Sequence, residues 1–402
     1  MNSHTRRGAR LRMSRWLGMV GLCVALLALI AGCGSSSTST AANASANSST
    51  DLTSYQALAN QAEHSLTSTT FNGPTVAFHA PRDIKLAVIA CSTSVSGCLS
   101  GANGVKKAAE LLNWKVTVFN GNADPSTQND LIEQAVNSGF QAIILVSIQP
   151  NTVASGLAAA NARKIPVGSD TAAVPPSPGG VAYDVDADWS TAGKGIGALI
   201  VAQSGGHANL LDFKDKEFQS QVDLSTAVTA EVASCSTCKV QPVQPVVVAD
   251  VGPSLGVRVV NLLQKDSAIN FVDMGFDPAA DVVVPAIKQA GFSNVKLVAA
   301  NAEPQNLEWI KQGEVQSGDL TYSFVYAAYA TVDQMARLLA HKPLIKTPGV
   351  SNLAYAYGEG TPWGIITQSG LNGVPIPKAN GNIAFAIEAK LPQLYGHLWG
   401  VS

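Results

Sequence analysis

Ile84-Lys85-Leu86-Ala87-Val88-Ile89-Ala90 reads as a strand with almost no polar face. A run of this length with β-branched residues fits a strand buried on both sides, which is the habit of parallel sheets packed between helices. The residues that follow support that reading. Residues 99–113 place Val105, Ala108, Ala109 and Leu112 on one side of a predicted helix, and 115–119 give a second strand. The alternation continues through a helix at 125–138, a strand at 141–147, a helix at 152–164 and strands at 165–169 and 181–185. Pro125 suits the first turn of its helix, where its missing N–H would have had no partner. A second series begins after Trp189, with helices predicted at 191–203, up to about 233, 254–265, 279–290 and 303–312. Its strands fall at 208–213, 246–249, 269–275, 295–299 and 318–324, and one more helix covers 327–341. The fold class expected is α/β, with two doubly wound parallel-sheet lobes of similar size. Beyond His341 the chain turns rich in Pro and Gly and the periodicity fades.

The N-terminal side has a different character. Met1 to Arg15 holds Arg6, Arg7, Arg10, Arg12 and Arg15 and no acid, and Trp16 to Ile30 is an apolar run. That run is short of the roughly 20 residues a spanning helix needs. A basic head, a short apolar body and small residues describe a secretory signal peptide, expected over 1–32. Leu29-Ile30-Ala31-Gly32-Cys33 resembles the lipobox of bacterial lipoproteins, which implies lipidation of Cys33 and an extracytoplasmic location, lipid-anchored to the cell membrane. More than one acyl chain gives durable anchoring. Arg6-Arg7 lacks the apolar pair of a twin-arginine signal, since Gly8-Ala9 follows it. Residues 33–83 are expected to hold the anchor, a Ser-rich spacer to Thr50, a short helix within 51–66 and a connector.

Of the 402 residues, 46% are apolar and 13% charged, so the exported part should be globular. Without the five signal arginines the balance is 21 basic residues against 28 acidic, or −7. That argues against nucleic acid, whose phosphates need clustered Lys and Arg. Cys91, Cys98, Cys235 and Cys238 remain in the exported part. An even number in an exported chain points to disulfides. Three pairings are open, of which Cys91–Cys98 with Cys235–Cys238 is the simplest. Cys235-Ser-Thr-Cys238 could instead be redox-active or hold zinc. It follows a predicted helix rather than preceding one, however, and no His pair is spaced to complete a metal site. No metal and no cofactor are expected.

The order of these stretches resembles the type I periplasmic binding proteins of ABC importers, the ribose-binding-like sugar branch in particular, from about Ile84 to His341. The likeness is carried by Ile84 to Cys91 with Gly104-Val105-Lys106-Lys107-Ala108-Ala109, by Gln141 to Ser147 with Pro150, and by Ala160 to Val167 ending in Asp170. Asp188 to Gly197, Phe276-Asp277-Pro278-Ala279-Ala280 and Ala299-Ala300-Asn301 continue it. The resemblance implies a three-segment hinge near 186–189, near Ser323 and within 351–370. It implies an N-terminal lobe of 84–187 plus 324–350 and a C-terminal lobe of 188–323 plus 351–402. Ligands of open parallel sheets bind beyond the carboxyl ends of the strands, so two such edges facing each other form a clamp that closes by hinge motion.

Carried over position by position, the resemblance implies a ligand site made of Ser92, Thr93, Asp170, Thr171, Trp189, Asp215, Phe218, Gln219, Gln221, Asp277, Asn301 and Ser323. Carboxylates and amides suit hydroxyl groups, and charge-assisted hydrogen bonds are the stronger kind. Two positions depart from the sugar binders: Thr171 stands where they carry Arg, and Val95-Ser96-Gly97-Cys98 offers no aromatic in the first loop. Trp189, Trp363 and Tyr357 are candidate replacements for the missing stacking platform. Asp277, before Pro278, also suits a helix cap. The function implied is a monomeric, non-enzymatic substrate-binding lipoprotein that captures a sugar, polyol or sugar-like solute and delivers it to an ABC permease in the membrane. A ligand sensor for a membrane receptor, or a binder of a non-sugar small molecule, is the alternative. No Gly-x-Gly-x-x-Gly follows the first strand, and neither a P-loop nor a Ser-His-Asp spacing is present, which weighs against an enzyme. LacI-type repressors share the fold class, but the signal stands where their DNA-binding helices would be.

Overall fold

The computed structural model describes residues 51–347, 356–372, 374–377 and 381–401. The stretch expected to be a signal peptide, Cys33 and the Ser-rich stretch to Thr50 lie outside the described residues. No described helix is long and apolar enough to cross a membrane. The short helix expected after the spacer is α1 (Thr53–Glu63).

The first lobe then follows as β1 (Lys85–Ala90), α2 (Ser96–Glu110), β2 (Lys115–Asn120), α3 (Pro125–Asn137), β3 (Ala142–Val146), α4 (Ala154–Ala162), β4 (Val167–Asp170) and β5 (Asp184–Val185). Its five strands are all parallel, in the order β2-β1-β3-β4-β5. β3 is buried throughout and β1 in all but its first residue, as their unbroken apolar runs require, whereas edge strand β2 alternates with solvent. The register brings Ala90, Asn120, Val146 and Asp170 to one edge. Helix starts are set locally. Asp124 accepts from Ser126 N and Thr127 N with Pro125 in the first turn of α3.

The second lobe comprises α5 (Trp189–Gln203), β6 (Asn209–Asp215), α6 (Gln219–Ser234), β7 (Lys239–Val240), β8 (Gln244–Val246), α7 (Pro253–Lys265), β9 (Phe271–Asp273), α8 (Asp277–Gln289), β10 (Lys296–Ala300), α9 (Pro304–Gln312) and β11 (Gln316–Tyr322). β7 and β8 both lie on the same edge of β6, one pairing with its start and one with its end. Pro242 falls between them and has no N–H to continue a ladder. The glycines of α5 have a packing role: a Cβ on Gly193 would lie 2.6 Å from Leu224 O, and one on Gly197 2.6 Å from Glu231 Cβ. Their absence lets α5 lie directly against α6.

The chain passes between lobes at Asp186–Asp188 and again at Ser323, which caps α10 (Phe324–Leu339) by accepting from Tyr326 N. α10 packs on α2, β4 and β5 of the first lobe. A third passage precedes β12 (Trp363–Ile366), antiparallel to β11 in the second sheet, where Ser323 N donates to Pro362 O at 2.9 Å. The chain then returns a fourth time. α11 (Leu391–Trp399) docks on α10, with Trp399 stacked on Tyr329 and its Nε1 donating to Asp333 Oδ1 at 2.7 Å. Phe78 N and Ala80 N donate to Leu398 O and Trp399 O. This corrects the expectation that all of 351–402 belongs with the second lobe. Tyr395, Leu398 and Trp399 are buried, and α10 is the apolar surface that covers them.

The four exported cysteines form Cys91–Cys98 and Cys235–Cys238. The first pair joins the end of β1 to the first turn of α2. The second lies between the end of α6 and β7, away from any strand-to-helix turn. Among the described residues no group of His, Cys, Asp or Glu is arranged to hold a metal ion.

Candidate functional site

The carboxyl edges of the two sheets face each other across a cavity of about 270 Å3. From the first lobe it is lined by the β1–α2 loop (Ser94, Val95, Gly97, Cys98) and by Ser147 and Thr171, which follow β3 and β4. From the second lobe come Asp215, Phe218, Ser220, Gln221, Val248, Val251, Phe276, Pro278 and Asn301, and the crossings add Trp189, Tyr322 and Phe324. The volume sits at the small end of the range for small-molecule sites, and the mix of aromatic walls with a few convergent polar groups is typical of them.

Six of the twelve expected residues line this cavity: Thr171, Trp189, Asp215, Phe218, Gln221 and Asn301. The other six do not. Ser92 is buried with its hydroxyl on Ser94 Oγ, and Thr93 N donates to Asn120 Oδ1. Asp170 lies behind Thr171, whose hydroxyl donates to its Oδ1 at 2.9 Å. Gln219 is exposed and donates to Asp223. Asp277 accepts from Glu303 N at 2.7 Å, and so ties the start of α8 to the residue that precedes α9. Ser323 is spent on capping α10 and on Glu388. Trp363 and Tyr357 do not line the cavity either. Trp363 lies in β12, and the Tyr357 ring takes the Lys346 ammonium.

The stacking platform comes from elsewhere. Trp189 packs edge-on to Tyr322 with ring centroids 5.0 Å apart, and Tyr322 meets Phe324 at 4.1 Å. The Trp189 ring is fixed by its Nε1, which donates to Asp186 Oδ1 at 2.6 Å. Phe276, Tyr322, Phe324, Ser147 and Ser220 were not anticipated. A backbone signal marks three of the polar lining residues. Ser147, Thr171 and Asn301, each directly after a strand, hold φ of 53°, 63° and 114°. Non-glycine residues in this region cost of order 1–3 kcal/mol each and cluster at functional sites.

The lobes touch over the cavity. Ser96 Oγ in α2 donates to Glu303 Oε1 at the start of α9. Thr171 Oγ1 and Tyr322 Oη share a hydrogen bond of 3.0 Å. Asn382 bridges from the tail, accepting from Ser100 Oγ at 2.6 Å and donating to Asn301 O at 2.7 Å. This is a closed arrangement.

Buried carboxyls crowd the same edges. Burial raises Asp170 and Asp184 to about 7, with their mutual repulsion adding to the rise at Asp170. Asp186 is raised further, by burial and by the charge of Asp184. Burial and the charge of Asp319 hold Asp277 well above the usual carboxylate range, and burial with the charge of Asp212 does the same for Asp273. Burial raises Asp215 to about 6, which leaves it mostly ionised at neutral pH.

A larger cavity, of about 520 Å3, lies on the other side of the hinge. It is walled by α1, the connector and the third crossing, with Gln61, Thr70, Asp188 and Trp363 among its residues. The strands do not end there, so the paired strand ends that make the cleft a ligand trap are missing.

Among families, the periplasmic binding protein domain matches residues 87–343, well over half of the chain. The chain belongs to that family. The match spans both sheets from β1 to the end of α10, and so takes in the cleft just described. No curated protein sequence matches the chain. Solved periplasmic binding proteins share the fold at low identity. A solute-binding protein of an ABC transporter from Agrobacterium vitis, with bound allitol, is 16% identical with a TM-score of 0.63, covering 72% of this chain and 97% of its own. One from Mycobacterium smegmatis, with bound glycerol, is 16% identical at a TM-score of 0.62, over 75% and 99%. Another from Agrobacterium vitis, bound with alpha-D-tagatopyranose, is 15% identical at 0.63, over 73% and 98%. The two-lobed fold anticipated from the strand and helix order is therefore the one found.

Proposed function

We propose that the chain is an extracytoplasmic solute-binding protein that captures a small hydroxylated molecule, such as a sugar, polyol or sugar-like compound, and hands it to an ABC permease. The cavity closed between two carboxyl edges is the observation that carries this reading. Its hydroxyl and amide side chains can both donate to and accept from ligand hydroxyls, and its rings can cover the apolar C–H face of a small polyol. The solved relatives named above hold such ligands. The site proposed is Thr171, Trp189, Asp215, Phe218, Gln221 and Asn301, with Asp170, Asp277 and Ser323 placing the segments that carry them. Binding is reversible and the ligand leaves unaltered.

The lobes proposed to move are 84–187 with most of 324–350, and 188–323 with β12. Hinge closure couples occupancy to shape, which is what a permease can read. Lipidation of Cys33 would hold the monomer at the outer face of the cell membrane, with 34–50 as the tether. The test is a thermal-shift screen of the full chain in detergent against sugars, polyols and small metabolites, followed by X-ray scattering with each hit. Hits that compact the particle and are recovered unchanged support the proposal. A complete screen without any hit, or turnover of a hit, overturns it. Permease and ATPase genes beside this one would favour import over sensing.

A further inference from the structure

Resting on the solute-binding reading above, we propose that the ligand of the cleft carries a protonated amine beside its hydroxyls, seated on Asp215 against the aromatic walls. Asp215 ends β6 and is 2% exposed. Asp215 lines the cavity; its Oδ1 accepts from Glu217 N at 2.7 Å, and its Oδ2, itself buried, accepts a hydrogen bond from none of the described residues. Among the described residues no Lys, Arg or His lines the cavity. The two other charges that bear on Asp215 are those of Glu217 and Asp250, both acidic. The nearby cations are turned elsewhere. Lys214 alternates to the other face of the strand and donates to Thr226 Oγ1, Lys216 is exposed, and Arg258 lies over the ring of Phe213.

A buried carboxylate with neither a counter-charge nor a full set of donors is costly, by several kcal/mol. A neutral polyol would supply hydroxyl donors but leave the charge unbalanced. An ammonium supplies both, in a charge-assisted hydrogen bond. The aromatic walls act in the same direction, because the face of a ring is the negative end of its quadrupole and attracts a cation. An anionic ligand has no partner here, since position 171, beside the first-lobe strand ends, is a threonine with its hydroxyl on Asp170. Thr171, Gln221 and Asn301 then serve the hydroxyl groups that remain. The ligand class is an amino polyol or amino sugar.

The experiment compares matched probes on the full chain by titration calorimetry: glycerol with 3-amino-1,2-propanediol, sorbitol with 1-amino-1-deoxysorbitol, and glucose with glucosamine. The expected result is at least ten-fold tighter binding of the amine in one pair or more. Asp215→Asn should bring that ratio close to one, by weakening the amine at least ten-fold more than its neutral partner. Equal or tighter binding of the neutral member in every pair overturns the amine assignment while upholding solute capture. An amine preference that survives Asp215→Asn overturns the role of Asp215. Failure of all six probes overturns the ligand class, and the wider screen described above then judges solute binding separately. Should Asp215→Asn not fold, the wild-type ratios alone decide.

Discussion

Replacing Asp170 by Asn should change how stability depends on pH, by an amount the structure sets. The Asp170 carboxyl is fully buried at the end of β4, with Thr171 Oγ1 donating to Oδ1 and nothing donating to Oδ2. Burial, with added repulsion from Asp184, lifts it from 3.8 to about 7. The folded protein therefore keeps this proton up to about pH 7, while the unfolded chain releases it near 3.8. Between those values the folded state binds more protons, so stability falls as pH rises. The favourable contribution is complete below pH 3.8 and gone above about 7. Each unit between the two values is worth about 1.4 kcal/mol, so the loss over the whole window totals about 4–5 kcal/mol, most of it between pH 4 and pH 8. Asn cannot ionise, and its curve lacks that fall. Asp184 and Asp186 are raised in both proteins and largely cancel in the comparison. Urea unfolding of the two proteins at pH 4 and pH 8 should show the stability gap moving in favour of the variant by about 3–4 kcal/mol. A gap constant to within about 1 kcal/mol would mean that the carboxylate is solvated and that its burial has been misjudged.

Other expectations can be checked with the same protein. Trp399→Phe removes the donor to Asp333 while keeping a ring against Tyr329, and urea unfolding should show a loss of about 1–3 kcal/mol. Cys91→Ser with Cys98→Ser should cost about 2.5 kcal/mol from the short loop released, and the Cys235 and Cys238 pair about 2. Thiol titration of the denatured, unreduced chain should find none of these four sulfhydryls free. Ser96→Ala, or Glu303→Gln, removes a contact made only when the lobes meet. Stopped-flow binding should then show several-fold faster ligand release with little change in the association rate.

Much of the fold was legible because its signals are local. The apolar runs of β1 and β3 admit little but buried parallel strands, and Pro125 in the first turn set a helix start to the residue. The tail was not legible for the opposite reason. β12 is four residues long and is defined by pairing with β11, and α11 by contact with α10. Neither partner is near in sequence. The site divides along the same line. Thr171, Trp189, Asp215 and Asn301 could be placed near the cavity they line because they stand at strand ends or crossings, where ligands of open parallel sheets bind. Asp170 and Asp277 follow strands as well, yet their carboxyls are taken up by Thr171 Oγ1 and by the N–H of Glu303, just before α9. Residue type alone does not separate the two uses. Phe276 and Phe324 read as core residues, and only the meeting of two lobes turns them into cavity wall.

The docking of α11 on α10 has a bearing on biogenesis. The first lobe begins at β1 yet is finished by Tyr395, Leu398 and Trp399. Domains fold as units, in general from the N-terminus as synthesis proceeds, but this lobe lacks a wall of its interior until α11, far along the chain from β1, has been made. A lobe closed by so distant a helix stays loosely packed through most of its own synthesis, and for the extracytoplasmic role proposed above that delay keeps it in a threadable form.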